Sequence, residues 1–114
     1  MRVAAAFAGA LDIVRSIALG EADLDLVRSI LRAHLPENVT VAVFGSRAGD
    51  RVKPFSDLDL VLEGPAPLSL SLLGTLADAF DESLLPIKVD LVDRMSVDES
   101  FGAIVDATKV PLPL

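Results

Sequence analysis

The stretch Ser56-Asp57-Leu58-Asp59-Leu60-Val61-Leu62 leaves the backbone few choices. Acidic and apolar residues alternate from Asp57 to Leu60, the period of a β-strand. Asp57 and Asp59 therefore leave one face and Leu58 and Leu60 the other. A rise of about 3.4 Å per residue sets the two acidic Cβ atoms roughly 7 Å apart. That spacing suits a divalent cation, or two cations about 3.5–4 Å apart held by shared carboxylates.

Upstream, the apolar run Val39–Phe44 reads as another strand and leads into Gly45-Ser46-Arg47-Ala48. A Gly-Ser turn can bring backbone N–H groups and a hydroxyl to phosphate oxygens. Downstream, Ile87–Val92 reads as a third strand, opened by Pro86, in which Asp90 interrupts apolar Val89, Leu91 and Val92. Alone, Asp90 would be an ordinary exposed strand residue. Joined to Asp57 and Asp59, it reads as a third metal ligand. Asp93 falls on the opposite face or in a turn and ranks below it. A phosphate cradle beside an acidic metal site is the outline of a nucleotidyl-transfer site.

These residues resemble the minimal nucleotidyltransferase family of the DNA polymerase β superfamily. The resemblance rests on the turn Gly45-Ser46-Arg47-Ala48-Gly49-Asp50, the strand Ser56–Leu60 and the later strand Ile87-Lys88-Val89-Asp90-Leu91-Val92. It includes the spacing from Ser46 to Asp57 and covers roughly residues 23–107. One departure is visible: the family usually has glycine where this chain has Asp50, and Gly49 comes one position early. The resemblance implies an α/β fold, with a small mixed sheet of three to four strands and helices packed mainly on one face. It implies that Asp57, Asp59 and Asp90 bind one or two Mg²⁺ ions and carry catalysis. Gly45, Ser46 and Arg47 would bind the nucleotide phosphates, with Arg51 and Lys53 as weaker candidates. The implied reaction moves AMP from ATP to a hydroxyl, most often a tyrosine of a HEPN-domain toxin. The chain would then be an antitoxin in a cytoplasmic hetero-oligomer. Two alternatives stay open: an antitoxin that neutralises by occlusion without catalysis, and a subunit of an aminoglycoside-type small-molecule nucleotidyltransferase.

Composition narrows the remaining classes. The 114 residues, 52% hydrophobic, suit one domain with a single core and argue against disorder. We expect an N-terminal helix over 1–22, a core over 23–107 and a tail over 108–114. A net charge of −7 disfavours a broad nucleic-acid surface, although metal ions can bridge an acidic site to a triphosphate. The absence of cysteine excludes disulfides, thiolate nucleophiles and cysteine-ligated zinc. The absence of tyrosine excludes tyrosine self-modification. With no second domain expected, the acceptor surface is expected from another chain.

The remaining segments read as scaffold. Phe7, Leu11, Val14 and Ile17 recur at helical spacing, predicting an amphipathic helix within Met1–Leu19. The alternative of a cleaved signal is weaker, because Asp12 and Arg15 interrupt the apolar run, which is far below the ~20 residues of a membrane span. Asp23 is the expected cap of a second helix, with Leu24, Val27, Ile30, Leu31 and Leu35 as its buried stripe. His34 belongs at that helix's end as a solvated dipole partner. Ser69 or Ser71 is expected to cap a helix buried through Leu72, Leu73, Leu76, Ala77 and Phe80. Ser96 and Glu99 match a capping box for a last helix carrying Phe101, Ile104 and Val105. Val110–Leu114, interrupted by prolines, cannot be a central strand but can cover a sheet edge.

Overall fold

The computed structural model describes residues 17–49 and 54–114. Most of the expected N-terminal helix lies outside these residues, as do Asp50, Arg51 and Lys53. Of that 1–22 segment, Ile17 to Gly20 are described and are not helical, and Glu21 and Ala22 already belong to the next helix. There the Ala18 amide donates to the Arg47 carbonyl at 2.8 Å, away from any helical partner.

Helix α1 spans Glu21–His34. It starts before the expected cap: Gly20 occupies the cap position without a side-chain bond, and Asp23 sits in the first turn. Glu21 and Asp23 there, and Arg32 and His34 in the last turn, match the helix dipole at both ends. His34 is exposed. Val27 and Leu31 are buried, and Leu24, Ile30 and Leu35 pack around them, so the expected stripe is the one that meets the core.

Strand β1 (Thr40–Phe44) leads through a single 3-10 turn, Gly45–Ala48, towards β2 (Leu58–Glu63). Helix α2 (Leu70–Asp81) follows, then β3 (Val89–Asp93), a second 3-10 turn (Arg94–Ser96), helix α3 (Glu99–Thr108) and a two-residue β4 (Val110–Pro111). The strands form one mixed sheet in the order β3-β2-β1-β4. β2 and β3 run parallel, joined through α2; β1 runs antiparallel to both of its neighbours. This is the expected α/β class with four strands.

The alternation of β2 divides the sheet into two faces. Leu58, Leu60 and Leu62 join Val41 and Val43 against Val27 and Leu31 of α1 and Leu76 and Phe80 of α2. The other face carries a smaller cluster, in which Val105 of α3 packs on Ala42 and Val61 beside Phe44. Among the described residues, two helices thus cover one face and one covers part of the other. Ser69, not Ser71, caps α2, its hydroxyl accepting from the Leu72 amide at 3.0 Å. The capping box of α3 does not form. Asp98 is the cap, accepting from the Phe101 amide at 2.7 Å. Ser96 instead lies in the 3-10 turn and donates its hydroxyl to Asp93 at 2.8 Å. The aspartate side chain, placed directly before the helix, reaches the free amide that Ser96 is too far upstream to satisfy.

The tail joins the sheet. Pro111 and Val110 pair with Ala42 and Val43, and the Leu112 amide donates to the Val41 carbonyl at 2.9 Å. Leu112 is buried in the main core. A proline is tolerated there because β4 is an edge strand with one neighbour.

Candidate active site

Three aspartates come together at one end of the second face. Asp59 lies in β2 between buried Leu58 and Leu60, so its side chain leaves the face opposite the main core. In the parallel ladder its partner is Asp90 of β3. Asp57 precedes β2 by one residue and is exposed, two positions from Asp59 on the same side. The β2–β3 register thus brings together carboxylates that are 31 residues apart in the chain.

The electrostatics match this geometry. Asp59 has a pKa above the ordinary carboxylate value of 3.8, raised first by burial and then by the negative charges of Asp90 and Asp57. Asp59 is held beside two like charges at a cost that a cation would relieve. Among the described residues, no three acidic, imidazole or thiol groups close on a single point. Magnesium needs no such closed group, since it takes one or two carboxylates and completes its octahedron with water and substrate phosphates. Hard oxygen donors with no cysteine or histidine among them also favour it over softer metals.

Gly45 and Ser46 are exposed on the 3-10 turn directly after β1. Gly45 has φ +74°, a conformation that L side chains rarely adopt. A second constraint acts at the same atom: a Cβ on Gly45 would overlap Oδ2 of Asp59. Glycine here lets the turn lie against the central carboxylate. Gly49, by contrast, has φ −137°, and a Cβ there would meet only the Ser46 carbonyl, at 3.9 Å, so nothing local requires glycine.

Arg47 corrects the sequence expectation. It is buried, 6% exposed, and its guanidinium donates to three backbone carbonyls: Ser56 at 2.9 Å, Ala18 at 2.7 Å and Pro54 at 3.0 Å. A planar fork held at all three nitrogens by backbone carbonyls braces the chain around the turn. Its effect on the site is indirect, because the Ser56 carbonyl it holds belongs to the residue before Asp57. Asp93 is also buried and sits away from the acidic cluster. Its carboxylate accepts from Leu68 N at 2.8 Å, Met95 N at 3.0 Å and the Ser96 hydroxyl.

One neighbour escaped the sequence reading. Lys88 Nζ lies 3.6 Å from Asp90 Oδ1, on an exposed side chain. The signal was available, since Lys88 and Asp90 are two apart and share a strand face.

Comparison with known proteins shows the family. The family described as Nucleotidyltransferase domain matches residues 24–110. The chain is 40% identical over 83 residues to a Haemophilus influenzae protein named probable protein adenylyltransferase MntA, covering 73% of this chain and 72% of the relative. The fold is similar to a chain in a crystal structure of a toxin–antitoxin with AMP-PNP, at TM-score 0.68 and 24% identity, covering 79% of this chain and 72% of the other. It is also similar to a chain in the structure of a tri-AMPylated Shewanella oneidensis HEPN toxin in complex with MNT antitoxin. That match has TM-score 0.57 and 24% identity and covers 82% and 71% of the two chains. The match over residues 24–110 and the 40% identical relative show that the chain belongs to the nucleotidyltransferase domain family.

Proposed function

We propose that this chain is a protein adenylyltransferase that moves AMP from ATP to a hydroxyl of a HEPN-type toxin partner, most often a tyrosine, and so acts as its antitoxin. The observation that carries the reading is the convergence of Asp59 and Asp90 in register, with Asp57 beside them and the Gly45 turn against Asp59. The adenylyltransferase name of the Haemophilus relative and the AMPylated toxin of the Shewanella complex support the choice of nucleotide and acceptor.

Asp57, Asp59 and Asp90 would hold Mg²⁺. When bound, Mg²⁺ neutralises charge on the triphosphate and on the leaving pyrophosphate. Gly45 and Ser46 orient the β and γ phosphates through backbone N–H groups and the Ser46 hydroxyl. Asp90 accepts the proton of the acceptor hydroxyl. The acceptor oxygen then bonds to the α-phosphorus as the bond to the β-phosphate bridging oxygen breaks, and pyrophosphate leaves. Arg47 contributes by holding Ser56, and with it the approach to Asp57.

Asp90→Asn tests this reading. It leaves Asp57 and Asp59 in place, and we expect ATP to bind while transfer falls by about 10²–10⁴-fold. The measurement is intact mass of both proteins after incubation with ATP, Mg²⁺ and the partner, beside titration of partner activity. A variant that still forms the complex yet fails to neutralise at substoichiometric amounts supports catalysis. Full, ATP-independent protection by Asp90→Asn would establish occlusion instead.

A further inference from the structure

We infer that Phe101 is the wall against which the nucleobase of the donor stacks, a role that rests on the nucleotidyl-transfer reading above. Phe44 is the last residue of β1, and its register partner on β2 is Asp59. Opposed side chains in an antiparallel pair share a face, with Cβ atoms about 4.5–5.5 Å apart. The Phe101 ring meets the Phe44 ring edge to face, with centroids 5.9 Å apart and planes at 81°. Phe101 is therefore within the span of one nucleotide from the central carboxylate.

Its surroundings suit a base. In an edge-to-face pair neither ring covers both faces of the other, and Phe101 remains 38% exposed. Its position is set by its backbone and by one ring contact. It stands on the first turn of α3, where the Asp98 cap accepts from its amide and its ring meets Phe44 edge to face. Phe55, two residues before Asp57, is 88% exposed on a turn. Helix α3 further lies against the Gly45–Ala48 turn, the segment assigned to the phosphates. Asp98 and Glu99 at the start of α3 repel phosphate, whereas a neutral aromatic base is unaffected. Polar tail at the Gly45 turn and flat apolar end at Phe101 is the polarity of a nucleotide.

The test separates base from phosphate. Calorimetry on the full chain would compare Mg²⁺-ATP with Mg²⁺-tripolyphosphate, which has no base. Phe101→Ala is expected to raise the Kd for ATP by about 5- to 150-fold, the range for loss of one stacked base, and to leave tripolyphosphate unchanged. Phe101→Leu keeps apolar volume without the flat ring and should show the same selective loss, while Phe101→Trp should restore ATP binding. Phe55→Ala should leave both ligands unchanged. Equal losses for ATP and tripolyphosphate, no loss for either, or a selective loss in Phe55→Ala alone would overturn the assignment. So would unchanged ATP binding with lost transfer to the partner, which would make Phe101 a docking residue. Wild type binding neither ligand would overturn the nucleotidyl-transfer reading itself, an outcome no Phe101 variant can imitate.

Discussion

Asp59 and Asp93 are aspartates on neighbouring strands of one sheet, and their surroundings treat them in opposite ways. Asp59 meets carboxylates: burial, Asp90 and Asp57 all disfavour its charge. Asp93 meets donors. Burial alone would lift its pKa, but hydrogen bonds from Leu68, Ser96 and Met95 outweigh it and hold the carboxyl below the ordinary value of 3.8. One region is completed within the chain; the other is left charged and open. A carboxylate fully satisfied by its own chain has little capacity left for a ligand, and it stabilises the fold. A carboxylate crowded by its own kind does the reverse.

The largest effect that would break this contrast is on activity. Asp57→Asn with Asp59→Asn should lower AMP transfer by well over 100-fold, beyond the loss usual for a mere supporting residue of a metal site. The double variant should melt no lower than wild type, because it removes repulsion. Retained transfer in the folded variant would show that these acids do not carry the chemistry.

Asp93→Asn should do the opposite, costing about 1–3 kcal/mol in urea unfolding because a buried donor loses its acceptor. Transfer per folded molecule should be unchanged. Gly45→Ala lies between the two regions in character. Positive φ alone costs about 1–2 kcal/mol, and the overlap with Asp59 adds displacement of a site carboxylate. Loss of ATP affinity should therefore exceed the loss of stability; equal ATP affinity in variant and wild type would remove the turn from the site.

The smallest effect is a pH dependence with two signs. Asp93, depressed in the folded state, contributes stability above its unfolded pKa that is lost as pH falls through its folded value. Asp59 is raised, so its contribution is complete below its unfolded pKa and is lost as pH rises through its folded value. Acidification from neutral pH should first recover the Asp59 contribution and then lose that of Asp93. Asp59→Asn should abolish the first phase and leave the second, as followed by thermal melts across the acid range.

Much of this was written in local pattern. Alternation at Asp57–Leu60 determined a strand with acids on one side, and it determined that Leu58 and Leu60 would face a core. The glycine before Ser46 marked a turn where the backbone needs freedom, and the apolar stripe of α1 named the residues that are buried. Helix starts were less legible. Asp98 caps α3 where Ser96 was expected, because capping depends on which side chain reaches a free amide, and α1 starts at Gly20 with no side-chain cap, ahead of the expected Asp23.

Only the tertiary structure decided the fates of Arg47, Asp90 and the tail. Sequence puts Arg47 in a turn expected to hold phosphate, but folding brings the carbonyls of Ala18, Pro54 and Ser56 around it, and a buried guanidinium takes the acceptors it is given. Asp90 gains meaning through the parallel register that places it beside Asp59, and Pro111 finds a place only because β1 leaves an edge for it. Periodicity is a property of neighbours along the chain, so sequence carries it. Which groups meet across tens of residues is set by how the covered faces pack, and that is where a cation becomes a brace and scattered acids become neighbours.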